Sequence, residues 1–116
     1  MVKAEIYYEE DRRKGFVVQG HAEAAEPGQD IVCAAISALT QTTLLGLETY
    51  LAVKPVWKVE DNGYLECWLP ENLSAADAEK AALLLGTLEL GLQSMEESYG
   101  QYLKVSKRRW TACCSK

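Results

Sequence analysis

The tripeptide Asp61-Asn62-Gly63 separates two runs rich in β-branched, aromatic and leucine side chains, Val56–Glu60 and Tyr64–Leu69. Asn-Gly tolerates the positive φ angles of a tight hairpin turn, so these runs read as two antiparallel strands. Their apolar residues, Trp57, Val59, Leu65, Cys67, Trp68 and Leu69, do not sort by face. A second hairpin is legible at the start of the chain. Val2, Ala4, Ile6 and Tyr8 alternate with Lys3, Glu5 and Tyr7, the period of a strand. Glu10–Gly15 is polar and ends in glycine, as a turn does. Gly15–His21, with Phe16, Val17 and Val18, is the partner strand.

The segments between and after the hairpins carry a different period. Ala22–Gln29 holds Glu23, Glu26, Pro27 and Gly28 and shows no periodicity, so it reads as a mobile loop. Asp30, a favoured N-cap, opens a helix running to about Tyr50. Ile31, Ala35, Ala38, Thr42 and Leu45 form its expected buried face, widened by Val32, Ile36 and Leu39. Pro55 blocks any continuation. Ser74 with Asp77 resembles a capping box and opens a second helix. Its apolar stripe is Ala78, Ala81, Leu85, Leu88, Leu92, Met95 and Tyr99, with Gly100 as the stop. Gly46, Gly86 and Gly91 lie inside helices, where each costs about 1 kcal/mol against alanine; close packing is expected there. Tyr102–Lys107 alternates and reads as a last short strand. The order is β-β-α-β-β-α and a final strand: an α+β domain over residues 1–116, with a mainly antiparallel sheet and two helices.

Composition narrows the function classes. The chain has 116 residues and a net charge of −5, enough length for one core without disulfides. Acidity argues against nucleic acid as a partner. The basic cluster Lys104–Arg109 reads as a solvated strand end or a protected sheet edge. No apolar run approaches the roughly 20 residues of a membrane span, and no targeting segment is visible, so the expected compartment is the cytoplasm. The cysteines are Cys33, Cys67, Cys113 and Cys114, with one histidine, His21. No paired zinc spacing exists. Cys67 reads as core, and Cys113 and Cys114 as incidental members of a loose tail. Glu96-Glu97 reads as a solvated face.

Cys33 lies three residues after the expected N-cap. There the unpaired N–H groups and the helix dipole favour a thiolate, and such cysteines reach pKa values of roughly 3.5–7.5. Asp30 opposes this unless its charge is absorbed by capping bonds or by His21. His21 closes the second strand, and Gly20 lets the backbone bend or approach closely. Ser37 follows one turn after Cys33 on its face and could help orient a site or bond back to the helix. A helical cysteine is most often a small buried hydrophobe, and a lone histidine is most often structural. Residue chemistry alone leaves both readings open.

The segment Gly20-His21-Ala22, followed by Gly28-Gln29-Asp30-Ile31-Val32-Cys33-Ala34-Ala35-Ile36-Ser37-Ala38-Leu39, resembles the signature of the ribosomal-processing cysteine protease family. In that pattern a Gly-His ends a strand, a variable loop follows, and Gly-x-Asp-Ile-Val-Cys-Ala-Ala-x-Ser opens a helix. The resemblance implies Cys33 as nucleophile, His21 as base, and supporting places for Asp30 and Ser37. It implies removal of a short N-terminal extension, after a phenylalanine, from the twenty-seventh protein of the bacterial large ribosomal subunit. It also implies a small α+β fold, usually a homodimer, with a mobile loop between histidine and cysteine.

The expected chemistry is acyl transfer without metal or organic cofactor. His21 takes the thiol proton, Cys33 attacks the peptide carbonyl, and helix-start N–H groups hold the oxyanion. Glu23 and Glu26, between the two residues in sequence, are expected to rim the cleft and attract a basic substrate. The alternatives are a non-enzymatic module binding a ribosomal component, and a thiol redox protein, for which no resolving cysteine is well placed.

Overall fold

Val2, Ala4 and Ile6 point into the core and leave Lys3 exposed, so the first alternating run forms β1, Val2–Glu9. It pairs antiparallel with β2, Arg12–Gln19, with a register shift between Tyr7 and Tyr8. β2 therefore begins earlier than the sequence reading placed it and ends at Gln19, before His21. The computed structural model describes residues 1–20, 29–61 and 63–111. Residues 22–28 of the expected loop Ala22–Gln29 and the tail carrying Cys113 and Cys114 lie outside the described residues.

The second hairpin forms as Asn-Gly chemistry requires. β3, Val56–Val59, pairs antiparallel with β4, Leu65–Trp68. Glu60 N donates to Tyr64 O at 2.9 Å, and Gly63 adopts φ 88°, a conformation that disfavours side chains with a Cβ. The in/out pattern that the sequence left open is settled by packing: Leu65 and Cys67 join the core shared with the helices, and Glu66 and Trp68 alternate to the opposite face. β2 pairs with β4, which joins the hairpins. β5, Leu103–Arg109, adds parallel to β1. The sheet order is β3-β4-β2-β1-β5, with three antiparallel pairings and one parallel. Parallel neighbours need a crossover, and the second helix supplies it.

α1 spans Gln29–Tyr50 and α2 spans Ala75–Tyr99. They pack side by side, with Leu84 and Leu39 in van der Waals reach of Gly46 and Gly91; the expected close packing is present there. One cluster unites Val2, Ile6, Phe16 and Val18 of the sheet with Val32, Ile36 and Leu47 of α1 and Leu85, Leu88 and Leu92 of α2. Each fully buried side chain of this kind contributes about 1.5–3 kcal/mol.

α1 corrects two expectations. Its buried face is Val32, Ile36, Thr40, Thr43, Leu44 and Leu47, whereas Ile31 and Leu45 of the expected face are 72% and 65% exposed. A helix apolar nearly all round carries no period from which to choose a face. Asp30–Tyr50 is also long and apolar enough, by length and composition, to cross a membrane, with mean hydropathy 1.4. In this fold one side of it packs on the sheet.

Polar contacts fix α2. Ser74 is its N-cap, accepting from Asp77 N at 3.1 Å. The Asp77 carboxylate does not reach back to complete a capping box; it accepts from Ala52 N at 2.8 Å and pins the chain leaving α1. Glu96 is likewise more than a solvated residue, since it accepts from Val105 N at 3.0 Å and ties α2 to β5. The basic cluster sits on the edge strand as expected: Arg108 pairs with Glu5 at 2.6 Å and Lys107 lies 3.9 Å from Glu89.

Candidate active site

Gly20 follows β2 directly, with φ 92°, and a Cβ there would meet the Met1 carbonyl oxygen at 2.6 Å. Glycine is thus required where the chain turns out of the sheet beside the start of β1. His21, Glu23 and Glu26 follow it in sequence and lie outside the described residues.

The helix on the far side of that segment begins two residues earlier than a cap at Asp30 would place it. Gln29 is its first residue, so Asp30 is an exposed first-turn acid and not the N-cap. Cys33 becomes the fifth helical residue, just past the four amides left unpaired at a helix start. The dipole argument for its thiolate is correspondingly weaker, because that field fades within the first turn. The thiol's place is set by its neighbours. Val32 and Ile36 are 2% and 0% exposed, which fixes the rotation of the helix. Cys33 is then half-buried against the edge of the core.

Ser37, one turn on, borders a cavity of about 180 Å3. Thr40 and Gln41 continue the helical wall, and Val59–Asp61 with Gly63–Leu65 of the hairpin form the opposite one. Sequence reasoning missed Thr40, Gln41 and the hairpin tip as neighbours of the site. Only Ser37 gave a signal, through its i+4 spacing from Cys33; the hairpin lies more than twenty residues downstream. A larger open depression of about 730 Å3 lies at the opposite end of β1, between Tyr8 and Trp110, and cannot serve Cys33.

The other described cysteine is unsuited to chemistry. Burial, helped by the charge of Glu48, pushes the Cys67 thiol up to about 12, and its side chain is 1% exposed. Among the described residues no cluster of histidine, cysteine, aspartate and glutamate could hold a metal ion.

Cys33 is thus a half-buried thiol in the second turn of a helix, backed by the apolar core and one turn from a pocket. Comparison with known proteins supplies the class. The family model for cysteine protease Prp matches residues 1–104. The ribosomal processing cysteine protease Prp of Bacillus subtilis is 32% identical over 108 residues, covering 91% of this chain and 96% of its own. A crystal structure from Streptococcus mutans superposes with TM-score 0.81 at 25% identity, over 95% of this chain and 99% of that one. Prp from Staphylococcus aureus, in complex with a covalently linked product peptide, superposes with TM-score 0.76 at 25% identity, over 93% and 100%. The chain belongs to the Prp family of cysteine proteases.

Proposed function

We propose that this protease removes the N-terminal extension of a bacterial large-subunit ribosomal protein precursor. The observation that carries the reading is a family match across residues 1–104, in which relatives are named ribosomal processing proteases. Cys33 is the nucleophile and His21 its base. His21 takes the thiol proton, the thiolate attacks the peptide carbonyl, and the protonated imidazole returns that proton to the leaving amine as the C–N bond breaks. Hydrolysis of the acyl enzyme then frees Cys33. The backbone N–H groups at the helix start hold the developing oxyanion, and Asp30, Ser37 and Gly20 are supporting residues of the site. This reaction needs no cofactor, and its natural place is the cytoplasm, where ribosomal proteins are made. Neither a membrane nor direct contact with nucleic acid is part of it.

The active form is a homodimer. Ile31 and Leu45 on α1, with Leu83 and Leu90 on α2, are 72%, 65%, 69% and 68% exposed, and the stretch 31–47 of α1 carries no charged side chain. An apolar face shared by two neighbouring helices suits an isologous contact with a second copy. Replacing Leu45 and Leu90 by glutamate should convert a dimer to a monomer in sedimentation velocity.

Hydrolysis of a synthetic peptide carrying the ribosomal extension, followed by mass spectrometry, tests the main reading. One cut between extension and mature sequence is expected. Tight binding without cleavage would instead establish a non-enzymatic binding module.

A further inference from the structure

α1 and α2 pack on one face of the sheet, the face of Val2, Ile6, Phe16 and Val18. On the other face, strand register places Glu5, Val17, Glu66 and Lys58 in one row across β1, β2, β4 and β3. The next row is Tyr7, Gly15 and Trp68. Gly15 is required there, because a Cβ would meet the Trp68 ring at 2.7 Å. The indole lies over Gly15 and meets Tyr7 edge to face, with ring centroids 5.0 Å apart. These rings border one end of a depression of about 320 Å3, in which Val17, 5% exposed, lies between Glu5 and Glu66. Neighbouring strands lie about 4.8 Å apart, so the two glutamates leave the sheet about 10 Å from each other.

Glu66 is 9% exposed, and a carboxylate buried to that degree is ordinarily paired with a cation. Its partners are neutral. Tyr64 Oη donates at 3.0 Å and Trp68 Nε1 at 3.3 Å, both to Oε1. Among the described residues no ion pair reaches Glu66, whereas Glu5 holds Arg108 at 2.6 Å. Lys58 faces Glu66 across the hairpin, but its Nζ lies 3.4 Å from Glu60 Oε2 and its side chain is 59% exposed. The lining therefore sets three carboxylates, those of Glu5, Glu60 and Glu66, against the one ammonium of Lys58. Burial, the hydrogen bond to Glu66 and the charges of Glu66 and Glu60 push the Tyr64 hydroxyl up to about 12, in keeping with a negative potential at this place.

The depression lies apart from the thiol, on the far face of the sheet, yet it is close in sequence to the base. Gln19 borders it and ends β2, and His21 follows two residues later. Two residues of chain span at most about 7 Å. A peptide held at His21 reaches the depression by continuing past the end of β2, and about 10 Å of extended chain is about three residues. The side chain it presents there is set back from the cleaved bond.

Resting on the proteolytic reading above, we propose that this depression is an exosite for a lysine or arginine of the substrate, set back at least about three residues from the cleaved bond. Glu66 and Glu5 meet the cationic head, and Val17 with the rings of Tyr7 and Tyr64 takes the methylene stem. The bound cation supplies the partner that Glu66 lacks. Lys58 is the internal competitor for the same carboxylates.

The test uses full-length Cys33→Ala protein and fluorescein-labelled peptides that carry the ribosomal extension and the start of the mature sequence. Each lysine and arginine is replaced in turn by norleucine, and affinity is read by anisotropy. At a position set back from the cut, norleucine should weaken binding about ten-fold, as expected for a hydrogen bond to a largely buried carboxylate. Adding Glu66→Gln, which keeps an acceptor for Tyr64 and Trp68, should abolish that loss, and Lys58→Met should enlarge it. In protein that retains Cys33, Glu66→Gln should raise KM for the unmodified peptide about ten-fold and leave kcat unchanged. It should not alter KM for the norleucine peptide, whereas a merely structural role would affect both peptides alike. Circular dichroism of each variant keeps misfolding apart from lost recognition, and Glu5→Gln is read in the same way should Glu66→Gln fail to fold. Equal binding of every norleucine peptide, or a loss that persists in the glutamine variant, overturns the proposal. Cleavage of the unmodified peptide by wild-type protein is scored separately. Cleavage without the charge preference sinks the exosite alone; the preference without cleavage sinks the protease reading and leaves a cation site standing.

Discussion

α1 and α2 have 22 and 25 residues and share one core, yet they are fastened by different forces. α2 is tied by carboxylates at three points along its length. Asp77 holds the chain leaving α1, Glu89 accepts from Tyr8 Oη and from Arg13 Nε at 2.7 Å, and Glu96 holds β5. In α1 the buried polar groups, Thr40 and Thr43, bond back to their own helix at 2.9 and 2.8 Å. Apolar packing on the sheet and on α2 holds its length. Among the described residues, polar contacts from other elements reach it only at its C-terminal end, where Glu48 accepts from Trp57 Nε1 at 2.9 Å and Tyr50 O from Lys80 Nζ at 3.3 Å. Hydrogen bonds are directional and fix position, whereas burial of apolar area is not. The contrast teaches that α2 sets the geometry of the domain, while α1 carries the thiol.

The comparison breaks first if α1 fails to carry the chemistry. Cys33→Ala should reduce peptide cleavage by at least about a thousand-fold while unfolding in urea shifts little, because the thiol is only half-buried. Cleavage at the wild-type rate by the folded variant would remove Cys33 from the mechanism.

Alkylation sharpens the same contrast between cysteines. With Cys67 pushed up to about 12, its thiolate fraction at neutral pH lies about three thousand-fold below that of an ordinary thiol. Iodoacetamide at pH ~6.5 should therefore label Cys33 and spare Cys67 until denaturant is added, as read by mass spectrometry. Cys33 should also react before Cys113 and Cys114. Tail labelling first would argue against an activated Cys33.

On α2 the expected effect is on stability. Burial works against the charged form of Glu89, but hydrogen bonds from Tyr8 and Arg13 and the charges of Arg13 and Lys107 outweigh it, so its pKa is held below the ordinary value. A depressed folded value means stability that is complete above the unfolded pKa of about 4.3 and is lost as pH falls through the lower folded value. Glu89→Ala should cost about 3 kcal/mol at neutral pH and lose this part of the acid dependence. Chemical denaturation at a series of pH values measures both, and kcat of the folded fraction should hold. A fall in kcat with unchanged stability would reverse the roles assigned to the helices.

The smallest effect concerns the segment before α1. Replacing Glu23 and Glu26 by glutamine should lower kcat/KM several-fold at low salt, mainly through KM, and flatten its salt dependence, since the Debye length shrinks from about 8 Å at 0.15 M to about 3 Å at 1 M. An unchanged salt slope would leave them as solubilising residues only.

Much of this was readable along the chain because it depends on neighbours in sequence. The alternation of Val2–Tyr8, the Asn62-Gly63 turn, the Ser74 cap and the two helical runs each report local backbone preference, and each element formed. The motif from Gly20 to Leu39 pointed to the family by the same local route. The misplaced boundary at Asp30 is of that kind too: cap preference places a helix start only to within a residue or two.

What the tertiary structure decided is what lies across the chain. Ile31 and Leu45 became exposed because α1 is apolar nearly all round, and only contact with Phe16, Val18 and the α2 leucines could choose its inner face. β5 found β1, parallel and at the sheet edge, because α2 carries the chain across the sheet. Glu60, Asp61 and Gly63–Leu65 of the hairpin came to face Ser37 and Gln41 because β4 pairs with β2. Local sequence determines backbone preference through sterics and hydrogen bonds over a few residues. The partner of each surface is chosen by burial of apolar area among segments distant in sequence, and no pattern within either segment records that choice.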